Sequence, residues 1–256
     1  MIQNIKDFDE LMDVKVIFPD QSEQTFPRGV TVSEAVGSWK KEALAAAVAA
    51  DVNGVSVDLS FALSGDAKVE PIDISSKKGI SILRHSVSHV MAQAVQEVFQ
   101  GAKVTIGPSI EDGFYYDFEY AEPFTLDDLE KIEKKMKEIV AADHPFVREE
   151  LPREKAAELF AAKGEDYKVE LIRDLPADVS VVSLYKDGDY VDLCRGPHIP
   201  RTGMIKAFKL LSVAGAYWRG DERNKMLQRI YGTGFADEQA HLVSLVAAPV
   251  GARDAQ

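Results

Sequence analysis

The sequence predicts an α+β protein, with a small ubiquitin-like β-grasp domain followed by a larger α+β domain whose sheet is mostly antiparallel. Residues 14–75 hold short strand-like runs around one helix, whereas residues 76–235 start with helices and continue into strand-like runs. The polar stretch Ser75–Gly79 separates the two patterns and is predicted to be a linker. Residues 1–13 are then a lead-in and residues 236–256 a tail.

Composition narrows the class of protein. The chain has 256 residues, 46% of them hydrophobic and 28% charged, which is typical of a folded globular protein. No apolar run approaches the roughly 20 residues that a membrane-spanning helix needs. The acidic N-terminus lacks the basic and apolar stretches of a signal peptide. A single cysteine, Cys194, excludes an internal disulfide and favours a reducing, cytoplasmic compartment.

The first domain is predicted from turn and capping signals. Thr31 followed three residues later by Glu34 forms a capping box, which predicts a helix through about Ala50. Asn53-Gly54 is a hairpin signal. The predicted strands are Val14–Phe18, Glu23–Pro27 and Val69–Ile72. This domain holds no histidine, cysteine or glycine-rich loop, which indicates a docking or binding role.

The second domain combines amphipathic helices with later strands. Its predicted helices run from Ser81 to about Gln100, from Thr125 to about Ala142, and from Pro152 to near Gly164. Asp187-Gly188 predicts a hairpin between two of the strands. The predicted strands are Lys103–Ile106, Gly113–Phe118, Lys168–Ile172, Val179–Tyr185, Tyr190–Leu193, Lys206–Val213 and Lys225–Tyr231.

Charge is distributed unevenly along the chain. The net charge is −12, yet the segment from Arg195 to Tyr231 holds eight lysines and arginines against two acids. Such a segment could contact a phosphate backbone locally. Charge alone favours the simpler interpretation, a solvated pair of strands.

The residues that could carry chemistry occur as two pairs. His85 and His89 stand four apart on a predicted helix, which places both imidazoles on one face. Cys194 and His198 have the same spacing at the end of a predicted strand. Two such pairs could bind zinc, since cysteine and histidine are its preferred ligands. They could also form a metal-free acid–base cluster acting on an ester and a water, or be structural residues only.

Three enzyme classes are disfavoured. A zinc protease helix needs a glutamate after its first histidine, and here Ser86 follows His85. Nothing around Cys194 resembles a cysteine-protease nucleophile. The chain has no P-loop and no G-x-G-x-x-G, so it shows no machinery for activating an amino acid with ATP.

Other side chains extend the candidate site. Asp192 and Tyr190 are expected on the same strand face as Cys194, because alternate strand residues share a face. Lys168, at the start of a predicted strand, could hold a water or stabilise an oxyanion, or could be a solvated surface residue. The aromatic run around Tyr116 is either strand core or a stacking surface for a terminal adenine.

Four motifs together resemble a known family. They are HSVSHVMAQAV (85–95), IGPSIEDGFYYDF (106–118), YVDLCRGPHIPRTG (190–203) and AYWRGDERNKMLQRIYGTGF (216–235). They resemble the N-terminal half of bacterial threonyl-tRNA synthetases, and the strand–helix module before them resembles the TGS domain of that family. The resemblance covers residues 14 to 235, and the residues between the paired motifs favour the threonyl over the alanyl branch.

The resemblance implies an aminoacyl-tRNA editing site rather than a synthetic one, since the synthetic and anticodon-binding domains would follow residue 235. The positions that match the family's editing site are His85, His89, Lys168, Asp192, Cys194 and His198. Tyr116 matches a position near the 3′ adenosine, and Arg84 and Arg195 are expected to meet the acceptor stem. No cofactor is expected to be required, although zinc at His85, His89, Cys194 and His198 stays open.

The expected reaction is hydrolysis of serine mischarged on threonine tRNA, without ATP-dependent ligation by this chain alone. The expected partners are the 3′ end of threonine tRNA and a synthetase that lacks its own editing activity, with no membrane. Two alternatives remain: a non-enzymatic RNA-binding module or inactive fragment of a threonine–tRNA ligase, and an unrelated zinc-site protein.

Overall fold

The computed structural model describes residues 13–237, which form two compact units. The first unit comprises residues 13–82 and Gly196–Pro200, and the second comprises residues 83–195 and 201–237. The predicted lead-in and tail lie almost wholly outside the described residues. Within residues 13–237, no helix has the length and hydropathy that crossing a membrane requires.

The first unit has the predicted β-grasp architecture. Its elements are β1 (Asp13–Ile17), β2 (Glu23–Pro27), α1 (Val32–Trp39), α2 (Lys41–Ala46), β3 (Ala47–Val52), β4 (Val55–Val57) and β5 (Ala67–Asp73). The sheet order is β2-β1-β5-β3-β4, in which β1 and β5 are parallel and the other pairs antiparallel. Helix α1 packs on this sheet through Val32, Ala35 and Val36, all fully buried.

The capping box of α1 is confirmed, but the predicted length of this helix is wrong. The Thr31 hydroxyl accepts a hydrogen bond from the Glu34 amide, and the Glu34 carboxylate accepts from the Thr31 amide. The helix ends at Trp39, because Lys40 is extended. A second short helix, α2, then runs to Ala46, and the alanines from Ala47 onward belong to strand β3. Pairing with β5 and complete burial of Ala49 outweigh the intrinsic preference of alanine for helix. Asn53-Gly54 makes the predicted hairpin.

The described part of the second unit contains four α-helices, two short 3-10 helices (Thr202–Met204 and Trp218–Gly220) and two antiparallel sheets. The helices are α3 (Lys77–Val98), whose first six residues belong to the first unit, α4 (Leu126–Ala142), α5 (Arg153–Ala162) and α6 (Asp166–Arg173). The strands are β6 (Lys103–Val104), β7 (Ser109–Ile110), β8 (Gly113–Glu119), β9 (Val147–Pro152), β10 (Val181–Asp187), β11 (Tyr190–Leu193), β12 (Ala207–Tyr217) and β13 (Met226–Phe235). One sheet has the order β12-β13-β8-β6, with β7 also on β8, and the other has the order β11-β10-β9.

Local signals set the helix starts in this unit. Helix α4 starts after Thr125, as the sequence predicts, and Thr125 and Asp128 form a capping box there. Helix α3 begins earlier than predicted, because Ser76 rather than Ser81 accepts the Gly79 amide through its hydroxyl. Part of the predicted linker is therefore the first turn of α3.

One predicted strand is a helix. Residues 168–172 lie in α6, where Tyr167, Val169 and Ile172 are buried. An apolar run this short does not distinguish strand from helix by periodicity, and packing against α5 settles the outcome. Strand β9 was not predicted, because its sequence VREELP is charged and only partly buried.

Candidate functional site

Helix α3 presents the two histidines on one face. Their rings meet edge to face, with centroids 4.8 Å apart. His89 is 3% exposed and His85 is half-buried. The Ser88 hydroxyl donates to the backbone carbonyls of His85 and Gly107, which ties this turn of the helix to the segment before β8.

The β10–β11 hairpin presents the acid and the thiol. The Asp192 side chain is buried on the same face as Tyr190, whose hydroxyl lies 3.4 Å from the carboxylate. Cys194 continues the hydrogen-bond ladder beyond β11. Its amide donates to the Ser183 carbonyl, and the Ser183 hydroxyl donates to the Cys194 carbonyl. The Cys194 sulfur lies 3.1 Å from His85 Nε2, so the two predicted pairs meet at this point.

Helix α6 supplies the amine. Lys168 is 1% exposed, so the interpretation as a solvated surface residue is wrong. Its Nζ lies 2.5 Å from Asp192 Oδ1 and donates to the Tyr116 hydroxyl at 2.9 Å. The sequence identified Lys168 as a candidate but predicted it on a strand. In the structure Lys168 lies in helix α6, on the face that also buries Tyr167, Val169 and Ile172.

The Asp192 carboxylate is the centre of the cluster. It forms the ion pair with Lys168, accepts a hydrogen bond from the Tyr116 hydroxyl at 2.7 Å, and lies 3.4 Å from His89 Nδ1. One carboxylate therefore orients a lysine, a tyrosine and a histidine that come from three different elements. Buried charges are tolerated where each is paired and hydrogen-bonded in this way.

Tyr116 belongs to this network rather than to an exposed platform. Its side chain is 1% exposed and its ring stacks on Phe118, so neither face is open to a stacked adenine. A Cβ at Gly107 would lie 2.0 Å from the ring, so the close approach of this segment requires glycine. The sequence reasoning overlooked the Tyr116 hydroxyl. Phe114 and Phe118 lie on the same face of β8 and lack this group, so the hydroxyl was the signal that Tyr116 has polar partners in the core.

Burial sets the protonation states. The pKa of His89 is lowered well below its ordinary value by desolvation and by His85 and Lys168, so its imidazole is neutral. Desolvation also lowers the pKa of His85, against the opposing charge of Asp192. Desolvation raises the pKa of Tyr116 well above its ordinary value, which keeps the phenol a donor. A neutral imidazole beside a thiol can accept a proton from a water.

The remaining predicted site residues are placed differently. His198 is counted with the first unit, where its backbone amide donates to the Asp58 carboxylate at 2.9 Å. Arg84 is half-buried and donates to the backbone carbonyls of Gly234 and Glu111, so its guanidinium secures the fold around β13. Arg195 is exposed.

Most cations of the basic segment are paired with acids of the same unit. Six of its eight cations form ion pairs: Arg201 with Asp143, Lys209 with Glu133, Arg219 with Glu170 and Asp174, Arg223 with Asp221, Lys225 with Glu119, and Arg229 with Asp117. The expectation that this segment meets phosphates is therefore reduced to Arg195 and Lys206, and the structure is closer to the interpretation that charge alone favours, a solvated pair of strands.

The donor set also suits a metal ion. The ligand atoms of His85, His89 and Cys194 lie within 4.8 Å of one another, and nitrogen and sulfur donors are those that zinc prefers. The 3.1 Å separation of His85 Nε2 and Cys194 Sγ is equally that of a direct hydrogen bond. The cluster can therefore hold a metal or act without one.

Two stretches of the chain match known domain families. Residues 14–72 match the TGS domain family, and residues 182–231 match the family described as the threonyl and alanyl tRNA synthetase second additional domain. The chain thus carries a TGS domain followed by a domain of the family described as the second additional domain of threonyl and alanyl tRNA synthetases.

The relatives of the chain are threonine–tRNA ligases. It is 58% identical over 194 residues to that of Nitratidesulfovibrio vulgaris, covering 75% of this chain and 30% of the relative. It is 53% identical to that of a Geobacter species over 89% of this chain and 35% of the relative. The ligase of Maricaulis maris is 52% identical over 90% of this chain and 36% of its own length. The chain spans about a third of each.

Proposed function

We propose that this chain hydrolyses the ester that joins serine to the 3′ end of threonine tRNA. The observation that carries the proposal is the Asp192 network, which holds Lys168, His89 and Tyr116 beside the His85–Cys194 contact. A binding module has no use for a buried ion pair next to two neutral imidazoles.

The reaction adds the oxygen of water to the ester carbonyl carbon and breaks the bond from that carbon to the ribose oxygen. His85 accepts the proton of the attacking water, because its lowered pKa leaves the imidazole unprotonated. Lys168 orients this water and stabilises the oxyanion, and it is itself positioned by Asp192. The ribose oxygen leaves with a proton, and free serine and uncharged tRNA result.

The other members have supporting roles in this proposal. Asp192 binds the substrate amine or a sugar hydroxyl, or relays a proton to the leaving oxygen. His89 and Cys194 form the floor of the pocket. Zinc, if bound, would be held by His85, His89 and Cys194 and would act as a Lewis acid there, but no step above requires it.

Selectivity follows from size. A synthetic site that selects threonine rejects serine by only one methyl group, which is worth about 1–3 kcal/mol, so a second hydrolytic sieve is needed. A small editing pocket can admit serine and exclude threonine by a methyl clash. The substrate pair to compare is therefore seryl and threonyl esters of one tRNA.

The alternative of a purely RNA-binding module is disfavoured by the charge distribution. Six of the eight cations in the basic segment are paired with acids of the same unit, so little free positive charge remains there for phosphates. Activity in trans beside a synthetase that lacks its own editing is part of the proposal.

The test is hydrolysis of serine-charged and threonine-charged threonine tRNA by the purified full chain. We expect the serine ester to be lost faster, and His85→Ala and Lys168→Ala to lower the rate at least about tenfold. Lys155→Ala, at an exposed pair on α5, is the matched control and should leave the rate unchanged. Equal loss of both esters, or normal rates in both site variants, would contradict the proposal.

A further inference from the structure

The loop between β12 and β13 packs on the helix that carries Lys168. It spans residues 218–225 and belongs to the motif AYWRGDERNKMLQRIYGTGF, which the proposed reaction does not otherwise use. Its first residue, Trp218, is 5% exposed, and its ring meets the ring of Tyr167 in α6 edge to face, with the centroids 5.0 Å apart. Leu171 of α6 packs against the same small apolar cluster.

Polar contacts join the same loop to the same helix. The Trp218 indole N–H donates to the Glu170 carboxylate at 3.0 Å. The Arg219 guanidinium pairs with Glu170 at 3.0 Å and with Asp174, the residue after α6, at 2.5 Å. A cation at this end of the helix also interacts favourably with the helix dipole. The loop therefore holds α6 by both packing and charge.

The residues that contact the loop form one stripe along α6. They are spaced i, i+3, i+4 and i+7 and comprise Tyr167, Glu170, Leu171 and Asp174. Lys168 follows Tyr167 directly and lies about 100° round the helix from it, so this stripe borders the residue that carries the amine. The Lys168 amine itself is held by Asp192 and Tyr116.

Helix α6 has little stability of its own. It has eight residues, and no side chain caps its N-terminus. Helices shorter than about 12–15 residues are marginal in water, so the position of α6 depends on the elements that pack against it. Val169 and Ile172 pack in the apolar cluster that includes Phe160 of α5, and the β12–β13 loop supplies the contacts along the stripe.

The loop is itself held in one conformation. The Trp218 amide donates to the Lys225 carbonyl at 3.0 Å, and the Asn224 side chain donates to the Trp218 carbonyl at 3.0 Å. Arg219 has φ 58° and ψ 20°, a left-handed conformation that is unfavourable for a residue other than glycine. Such a conformation persists where surrounding contacts impose it, and here those contacts include the ion pairs with α6.

We propose that Trp218 is a positioning residue, which fixes the location of the Lys168 amine through the packing of the β12–β13 loop on α6. The inference rests on the proposed hydrolysis, in which Lys168 orients the attacking water. A displacement of about 1 Å at a reacting group can lower a rate about a hundredfold, so a small shift of α6 is enough to lower activity.

The first measurement is steady-state hydrolysis of serine-charged threonine tRNA by the full chain. We expect Trp218→Ala to lower kcat at least about tenfold and to change KM by less than about twofold, because the loop positions the amine. Trp218→Phe keeps an aromatic edge against Tyr167 and should restore kcat to within about threefold of the unsubstituted chain.

Met136→Ala is the matched control for loss of stability. Met136 is fully buried on α4 in the same unit, so its truncation also leaves a cavity in the core. We expect this variant to have a lower melting temperature than the unsubstituted chain and a kcat within about twofold of it, measured where both are folded.

A second measurement does not depend on activity. With isotope-labelled lysine, the NMR signal of the Lys168 ammonium group reports the surroundings of the amine, and Lys168→Met assigns it. We expect this signal to shift or broaden in Trp218→Ala and to stay unchanged in Met136→Ala. Amide hydrogen exchange of residues 166–173 should become at least about tenfold faster in Trp218→Ala and not in Met136→Ala.

Three results would overturn the proposal. A raised KM at unchanged kcat would assign the loop to tRNA binding, an equal loss of kcat in Met136→Ala would indicate general destabilisation, and an unchanged lysine signal in Trp218→Ala would show that the amine does not depend on the loop. If the unsubstituted chain fails to hydrolyse the ester and Trp218→Ala still perturbs the lysine signal, the proposed function is wrong and the positioning of the amine stands. Trp218→Leu, which keeps more apolar volume, carries the same measurements if Trp218→Ala fails to fold.

Discussion

Lys168 and Asp192 form a buried ion pair in which Nζ lies 2.5 Å from Oδ1 and neither side chain is more than 2% exposed. The pair joins helix α6 to strand β11 inside the second unit. Each charge stabilises the other in the buried position. If one partner is removed, the desolvation free energy of the remaining charge is largely uncompensated.

A double-mutant cycle should reveal this dependence. We expect Lys168→Met and Asp192→Asn each to lower the free energy of unfolding by about 3–5 kcal/mol, because each leaves one buried charge unpaired. The double variant should recover much of that loss, since it buries no charge at this position. Urea denaturation followed by tryptophan fluorescence gives the three values.

Activity and stability should separate in that cycle. The double variant is expected to remain inactive in ester hydrolysis, because it lacks the amine and carboxylate that the reaction uses. Strictly additive losses of stability would show that the two groups do not interact as the structure indicates.

The hydroxyl of Tyr116 is expected to matter although its ring is buried. Tyr116→Phe removes the donor to Asp192 and the acceptor for Lys168, so we expect the hydrolysis rate to fall about tenfold and stability by about 1–3 kcal/mol. Tyr115→Phe is the matched control, since Tyr115 is the neighbouring residue and packs on Tyr231 on the other face of β8. Rates and melting temperatures of both variants check the prediction, and equal effects would refute a specific role for Tyr116.

Short-range signals in the sequence predicted much of the fold. The capping box at Thr31, the helix start at Thr125 and the turns at Asn53-Gly54 and Asp187-Gly188 are all confirmed, because each depends on residues within four positions of one another. The alanine-rich strand β3 could not be predicted in this way. Its conformation is decided by pairing with β5, which follows about twenty residues later.

The same distinction holds for the site. Spacing alone identified the pair His85 and His89, and alternation placed Tyr190 and Asp192 on one face. The link from Asp192 to Lys168 and Tyr116 spans 24 and 76 residues, and no local pattern encodes it. Lys168 was a candidate on its chemistry alone, the family resemblance added it to the site, and its secondary structure was still predicted wrongly.

The cations of the basic segment are expected to differ in their roles. Arg229→Ala should lower the free energy of unfolding by about 2–4 kcal/mol, because it leaves the buried Asp117 carboxylate without its two hydrogen bonds at 2.7 and 2.9 Å. Arg195→Ala should leave stability nearly unchanged, since Arg195 is exposed.

Binding of threonine tRNA should respond in the opposite order. Arg195→Ala is expected to weaken binding and to reduce the slope of log affinity against log salt by about 1, as for one lost phosphate contact. Arg229→Ala, measured where the variant is folded, should leave that slope unchanged. A salt slope that falls equally in both variants would show that the ion pairs open to meet RNA.

The buried carboxylate of Asp187 should make stability depend on pH. Burial, and then the charges of Glu97 and Asp192, raise the pKa of Asp187 to about 7 in the folded protein. In the unfolded chain an aspartate has a pKa of about 3.9, so the folded state binds the proton more tightly. This contribution to stability is fully present below about pH 4 and is lost as the pH rises to about 7.

Asp187→Asn removes the titrating carboxyl group and keeps a side chain of nearly the same size. The free energy of unfolding of the variant minus that of the unsubstituted chain should rise by roughly 2–4 kcal/mol from pH 4 to pH 8. Above pH 8 this difference should stay nearly constant. Urea denaturation of both proteins at pH 4, 6 and 8 measures this difference, and contributions from all other groups cancel in the comparison. Asp189→Asn, two residues along at an exposed position, is the matched control and should show a constant difference. Parallel pH profiles for Asp187→Asn and the unsubstituted chain would mean that the carboxylate is ionised in the folded state and has found a donor there.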